Sequence, residues 1–332
     1  MQINAAVLEV FDFTSSMPAY SDYPMEIDGP DIQSYLEMHV MKALQDPGAR
    51  TGYISEQTPW GRKIKQFGDK EISLVEFGRE LGETLFTYMA QAMDPCVLDM
   101  IVCDAQGEQP YLCILLCKAH DGYTHQLMAE ENGSLATKLV EHRAVLPTVT
   151  QKLYGFASIK LSDLSIRVFE PKGEFDGEKM RFLEERIFQV SMHPSSKDTV
   201  KKVRTVVDRV SKAHEQPGVE AMAKTKELLA KNAEVSDTIE ARQIIEQVFE
   251  SNPIQKQAAL KELEEEDLLG PLPVSRTYAT KIGKQHKIKT DTGIELSFPV
   301  EYMNDREFIE ISTNENGTLR IELKNISKIT NK

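Results

Sequence analysis

The hydrophobic pattern of the chain changes period several times before residue 190 and again after it. "AAVLEVFDF" near the start is a dense apolar run ending in a polar loop, and it predicts a first strand. After Asp28-Gly29-Pro30, the positions Ile32, Tyr35, Leu36, Val40, Ala43 and Leu44 recur at helical spacing until Asp46-Pro47-Gly48 stops them. Ser73 to Met93 repeats this with Leu74, Phe77, Leu81, Leu85, Tyr88 and Met89, so a second amphipathic helix follows. "CVLDMIVCDA" and "YLCILLCKA" are short aliphatic runs joined by Gln106 to Pro110, the signature of a hairpin of buried strands. "ASIKLSDLSIRVFE" and "EERIFQVSM" predict more strand, with Asp176-Gly177 as a hairpin turn.

From Ser195 the pattern is helical. Ser195 or Ser196 caps a helix running to about His214, Pro217-Gly218 breaks it, and Ser236 and Asn252-Pro253 open two more. The acidic run Glu264 to Asp267 then gives way to "LLGPLPVSR", whose Gly270, Pro271 and Pro273 have the character of a linker. Beyond it Ile294, Leu296 and Phe298 alternate with polar residues, as do Leu319, Ile321 and Leu323, and "FIEIS" before Asn314-Glu315-Asn316-Gly317 completes a second hairpin. The expected class is α+β, with an N-terminal mixed helix and antiparallel-sheet domain over 1–194, a helical middle segment over 195–269 and a small C-terminal β-rich module over 270–332.

Composition narrows the function classes. A chain of 332 residues with net charge -13 is not coated by nucleic acid over its whole surface, so any phosphate contact is local. The longest apolar run, Tyr111 to Cys117, is far short of the ~20 residues that span a bilayer, and the first residues lack the basic and apolar regions of a signal peptide, which predicts a cytoplasmic protein. Cys96, Cys103, Cys113 and Cys117 have no paired ligand spacing and are expected to be reduced, buried thiols.

Candidate chemistry mostly fails on what each reaction needs. Asp291-Thr292-Gly293 matches the tripeptide of aspartic proteases, but no second copy supplies the partner carboxylate, so a hairpin turn is expected. Asp99 or Asp104 ahead of Lys118 resembles a metal-dependent nuclease, yet Leu116 stands where the second carboxylate belongs. His120, Asp121 and His125 are spaced on an apparent turn with no common face for a metal. No phosphate-loop, dinucleotide or nucleophile-elbow motif occurs.

Local charge is what remains. Between Asp267 and Asp291 no acid occurs, while Arg276, Lys281, Lys284, Lys287 and Lys289 accumulate, and strand phase sets Lys287 and Lys289 opposite His286 and Ile288. In the helix from Ser195, Lys197, Lys201, Arg204 and Lys212 fall on one side and Val200, Val203, Val207 and Val210 on the other, with Lys202 nearby. "PWGRKIKQF" interleaves Trp60 and Phe67 with Arg62, Lys63 and Lys65, and is expected to be a basic loop between helices.

"HKIKTDTGIELSFPVEYM", "GTLRIELKNISKI", "THQL", "AVLP" before "TQKL", "LSIRV" and "NAEVSDTIEARQIIEQVF" together resemble the bacterial nucleoid-associated protein family of the NdpA (YejK) type, over essentially the whole chain. The resemblance implies a cytoplasmic protein found with the bacterial chromosome, able to associate with nucleic acid or with proteins working on it, and implies no enzymatic activity, so a non-enzymatic protein is expected. It carries no contact motif, so the candidate nucleic-acid-binding residues rest on charge: Lys197, Lys201, Lys202, Arg204, Arg276, Lys281, Lys284, Lys287 and Lys289. The expected partner is DNA, bound without sequence specificity, with RNA left open. A protein-interaction adaptor for DNA-processing proteins, docking through Glu262 to Asp267, is the main alternative, and a degenerate nuclease the weaker one. No cofactor, metal or membrane contact is expected, and a homodimer is left open.

Overall fold

Leu98, Met100 and Val102 point to one side of a strand and Ile101, Cys103 and Ala105 to the other, and all six are buried. A strand apolar on both faces needs a layer on each side, and the first unit supplies them. The computed structural model describes residues 1–129, 133–214, 218–266, 268–305, 307–314, 318–328 and 330, without the side chains of Asn304 and Thr313. The expected helix break at Pro217, the acidic Asp267 and the turn residues Glu315 to Gly317 lie outside the described residues. The chain divides into two compact units, Met1–His193 and Pro194–Lys332.

In the first unit the order is β1 (Gln2–Asp12), β2 (Met17–Ala19), α1 (Pro30–Gln45), β3 (Arg50–Tyr53), α2 (Pro59–Gly68), α3 (Leu74–Met89), β4 (Val97–Gln106), β5 (Pro110–Lys118), β6 (His120–Ala129), β7 (Leu135–Val145), β8 (Gly155–Lys160), β9 (Ser165–Phe169), β10 (Gly173–Phe175), β11 (Glu178–Met180) and a π-helix, Phe182–Ile187. A seven-stranded sheet runs β2-β1-β4-β5-β8-β9-β3, antiparallel throughout. One face packs Val7, Phe11, Leu112 and Ile114 against Ile64 of α2 and Phe77, Leu81 and Leu85 of α3. The other packs Ala6, Ile101 and Leu115 against Leu36, Val40 and Ala43 of α1. Cys103, Cys113 and Cys117 are buried on this second face as free thiols, and Cys96 is half-buried. The Asp176-Gly177 turn joins β10 to β11 with both residues at positive φ, 52° and 78°.

Three local expectations are corrected. "PWGRKIKQF" is helical, because Pro59 fits a first turn and the Thr58 hydroxyl accepts the Gly61 N–H at 3.0 Å. Its Trp60 turns into the core against Phe77, so it offers no stacking platform. "EERIF" is the end of a π-helix rather than a strand: the buried Glu170 carboxylate accepts the N–H groups of Leu183 and Glu184 at 3.1 and 2.9 Å, satisfying backbone that a strand would have paired in a sheet. His120 to His125 lies on a strand, β6, which pairs with β7 in a two-stranded sheet.

The second unit contains α4 (Ser196–Ala213), α5 (Gly218–Val235), β12 (Thr238–Glu240), α6 (Ala241–Val248), α7 (Pro253–Glu265), β13 (Pro271–Pro273), α8 (Arg276–Lys284), β14 (Gln285–Lys289), β15 (Glu295–Pro299), a 3₁₀ turn (Val300–Asn304), β16 (Ile309–Thr313) and β17 (Leu319–Leu323). Its core joins Val203 and Val207 of α4 to Leu229 of α5, Ile245 of α6, Leu263 of α7 and Ala279 of α8. Ser236 starts no helix. Its hydroxyl accepts the Thr238 N–H at 3.1 Å, and the strand that follows pairs Ile239 with Leu272 of the supposed linker. The last strands form two hairpins, β14 with β15 and β16 with β17. Asp291-Thr292-Gly293 is the turn of the first, closed by Thr290 N–H to Ile294 O at 2.9 Å with Gly293 at φ 89°.

Candidate nucleic-acid interface

The basic residues of the second unit are placed by four elements. On α4, Val200, Val203, Val206, Val207 and Val210 are buried, and Lys197 and Lys201 are exposed. Lys202 is half-buried and pairs with Glu266 at 3.2 Å. Arg204 departs from the expected solvent stripe: one turn past Val200 it sits at the margin of the apolar face, half-buried, with Nε 3.3 Å from Met222 Sδ on α5.

The sequence placed Arg276 to Lys284 in a linker and strand region, but it forms α8. Ser275 caps it, accepting the Tyr278 N–H, and its own N–H donates to Ser196 Oγ at 2.9 Å. The starts of α4 and α8 are thereby tied together, with Lys197 and Arg276 exposed on the first turn of each. Helix N-termini carry partial positive charge, and on α4 the Asp198 carboxylate in the first turn, accepting from the Ser195 hydroxyl at 2.7 Å, offsets part of it. Lys281 and Lys284 are exposed further along α8.

α8 can lie directly on α5 because residue 283 is glycine. A Cβ there would overlap the Ala230 side chain and come within 3.0 Å of the Lys226 carbonyl. The chain passes from α8 into β14 without a loop, and strand alternation then exposes Lys287 and Lys289 while burying His286 against the Phe298 ring, 5.5 Å between centroids. Lys289 bonds Glu295 across the hairpin at 3.0 Å.

Under this junction lies Lys226 of α5, only 6% exposed. Its ammonium donates to the Gln285 carbonyl at 3.3 Å. Burial, then the charges of Arg204 and Lys287, push its pKa down to about 8. His286, 2% exposed with neither ring nitrogen hydrogen-bonded to a described residue, is pushed down to about 4 by burial, Lys226 and Arg204. Among the described residues, the charges acting on the two groups are cationic. Arg204, Lys226 and Lys287 thus form a group of like charges around the start of β14, with the Asp198 carboxylate reaching only as far as Tyr278, on which Arg204 also acts.

Charge along the chain does not single out Lys226. The signal was its helical phase, three residues before Leu229 and three after Ala223, both buried: a lysine on an apolar stripe. Of the predicted residues, the fold brings Arg204 and Lys287 to this centre, sets Lys197 and Arg276 on the first turns of two helices tied by Ser275 and Ser196, and engages Lys202 and Lys289 in ion pairs.

The other candidates do not assemble. Asp99 is buried and Asp104 half-buried on opposite faces of β4, so they do not converge on one ion. Among the described residues no three His, Cys, Asp or Glu side chains group to hold a metal, and no helix is long and apolar enough to cross a membrane. Comparison with curated proteins finds no match. The family model described as nucleoid-associated protein YejK matches residues 14–330, nearly the whole chain, and the chain belongs to that family.

Proposed function

We propose that this nucleoid-associated protein binds the DNA backbone through the second unit, without reading sequence and without catalysis. The observation that carries the proposal is the buried ammonium of Lys226, bonded to the Gln285 carbonyl at 3.3 Å where β14 begins, with Arg204 and Lys287 as the charges acting on it among the described residues. In a chain of net charge -13, such a centre focuses the local potential where the rest of the surface repels phosphate. Exposed Lys197, Lys201, Arg276, Lys281, Lys284 and Lys287 make the phosphate contacts, and the buried ammonium and half-buried guanidinium raise the field beneath them. Lysine contacts of this kind position a duplex and carry no base information. The adaptor reading is weaker, because two of its acids are already occupied: Glu262 pairs with Arg209 at 3.0 Å and Glu266 with Lys202.

The test is duplex affinity measured against salt for the native chain and for a variant with Lys201, Lys281, Lys284 and Lys287 changed to Ala. The slope of log affinity against log salt should become shallower by about 0.9 for each phosphate contact removed. An unchanged slope would falsify the interface. Plasmid nicking in Mg²⁺ that disappears on changing Asp99 or Asp104 would overturn the non-catalytic reading.

A further inference from the structure

The hairpin of β6 and β7 forms a sheet separate from the main one: among the described residues each strand pairs only with the other. Its register sets Tyr123 opposite Glu141, His125 opposite Leu139, Leu127 opposite Thr137 and Ala129 opposite Leu135. Alternation therefore gathers Tyr123, Leu127, Leu135 and Leu139 on one face. They are 67%, 57%, 67% and 69% exposed. The opposite face carries Thr124, Gln126, Lys138 and His142 beside Met128 and Val140. One apolar face and one more polar face is the pattern of an antiparallel sheet built to be covered on one side. An isolated two-stranded hairpin is marginal in water, so this one gains stability from whatever covers it.

We propose that the occupant is the same face of a second copy of this chain, the two hairpins packing face to face about a two-fold axis. Charge argues for this partner over a nucleic acid or a charged protein. The guanidinium and carboxylate on the face already bond one another, Arg143 Nε and Nη2 donating to Glu141 Oε2 at 3.0 and 2.9 Å, so among the described residues the face presents no unpaired lysine or arginine to a phosphate. A neutral apolar surface is matched by another of the same size and polarity, and an isologous contact supplies one identically. Four such side chains hold on the order of 400 Å² of apolar surface, the scale at which exposed patches mark interaction sites. That is about half of one side of a standard interface, and the strand backbones and flanking residues supply the rest. The proposal is independent of the DNA-binding reading, because the hairpin lies in the first unit and the cationic centre in the second.

Sedimentation of the full chain across roughly 1 to 100 µM tests it. The native protein should dimerise in this range. Leu127→Ser combined with Leu139→Ser should weaken the dimer by about tenfold or more with unchanged circular dichroism, and Gln126→Glu on the opposite face should leave it intact. A native chain that stays monomeric throughout overturns the proposal, as does a dimer that survives the double substitution. If the double variant fails to fold, hydrogen exchange on the native chain decides. Amides of 123–127 and 135–141 that gain protection with concentration support the contact, and protection unchanged with concentration overturns it.

Discussion

Lys226 donates its ammonium to the Gln285 carbonyl at 3.3 Å, and this bond joins the middle of α5 to the first residue of β14. One carbonyl does not neutralise a buried cation, and the charges acting on it among the described residues, Arg204 and Lys287, have the same sign. A folded chain that tolerates such a centre is stabilised by whatever anion fills it.

Replacing Lys226 by Met should therefore stabilise the free protein. The lysine's pKa falls from 10.5 unfolded to about 8 folded, so between those values the unfolded state binds more protons and stability rises with pH. Below pH 8 the whole cost is present, of order 3 kcal/mol for a shift of that size, so the gain from Lys226→Met is largest at pH 7 and shrinks by pH 9.5. Urea unfolding at the two pH values measures it. In the same variant, the rise in melting temperature that inorganic phosphate gives the native protein should be smaller.

Gly283 is the position at which α8 meets α5. Gly283→Ala places a methyl where the Ala230 side chain and the Lys226 carbonyl already stand, and should cost about 1–3 kcal/mol through overpacking. Because the same contact sets Lys281 and Lys284 relative to Lys226, the variant should also bind duplex DNA more weakly under conditions where it remains folded. Destabilisation without any change in affinity would uncouple the helix contact from the interface.

These residues show where the sequence was legible. Periodicity located α1, α3, α4 and the β4-β5 hairpin, because their apolar positions repeat over many residues and their ends carry Pro, Gly or Ser caps. It failed where tertiary burial overrode a short local pattern. Ile187 and Phe188 look strand-like until Glu170 caps the turn that leads to them, and Leu272 looks like linker until it pairs with Ile239. Charge counting identified Arg204 and Lys287 as basic but ranked them with Lys202 and Lys289, whose carboxylate partners come from α7's end and from across a turn. Lys226 escaped it entirely, since a single lysine in "AKTKELLAKNAEV" is unremarkable until the helix face it shares with Leu229 is known.

Asp99 gives a pH signature in the first unit. It is 6% exposed, opposite Cys117 across the strand pair, and burial pushes its carboxyl from 3.8 up to about 6. Here the folded state binds more protons between those values, so stability falls as pH rises from about 4 to 6 and stays lowered above it. Asp99→Asn should recover about 1–3 kcal/mol at pH 7.5 and almost nothing at pH 4. Equal effects at both values would mean that the change acts through packing alone.

Lys287 and Lys289 are two residues apart on β14 with the same exposed face, and they separate local pairing from phosphate contact. Lys289 bonds Glu295 at 3.0 Å, so removing it also frees a carboxylate but takes no uncommitted cation from the surface. Lys287 makes no ion pair with a described residue and acts on buried Lys226. Lys287→Ala should lower duplex affinity about threefold or more at moderate salt and make the salt slope shallower. Lys289→Ala should change the slope less, because an exposed ion pair is already partly screened. A larger loss from Lys289 than from Lys287 would move the contact surface from the α5-β14 junction to the tip of the hairpin, away from the buried lysine.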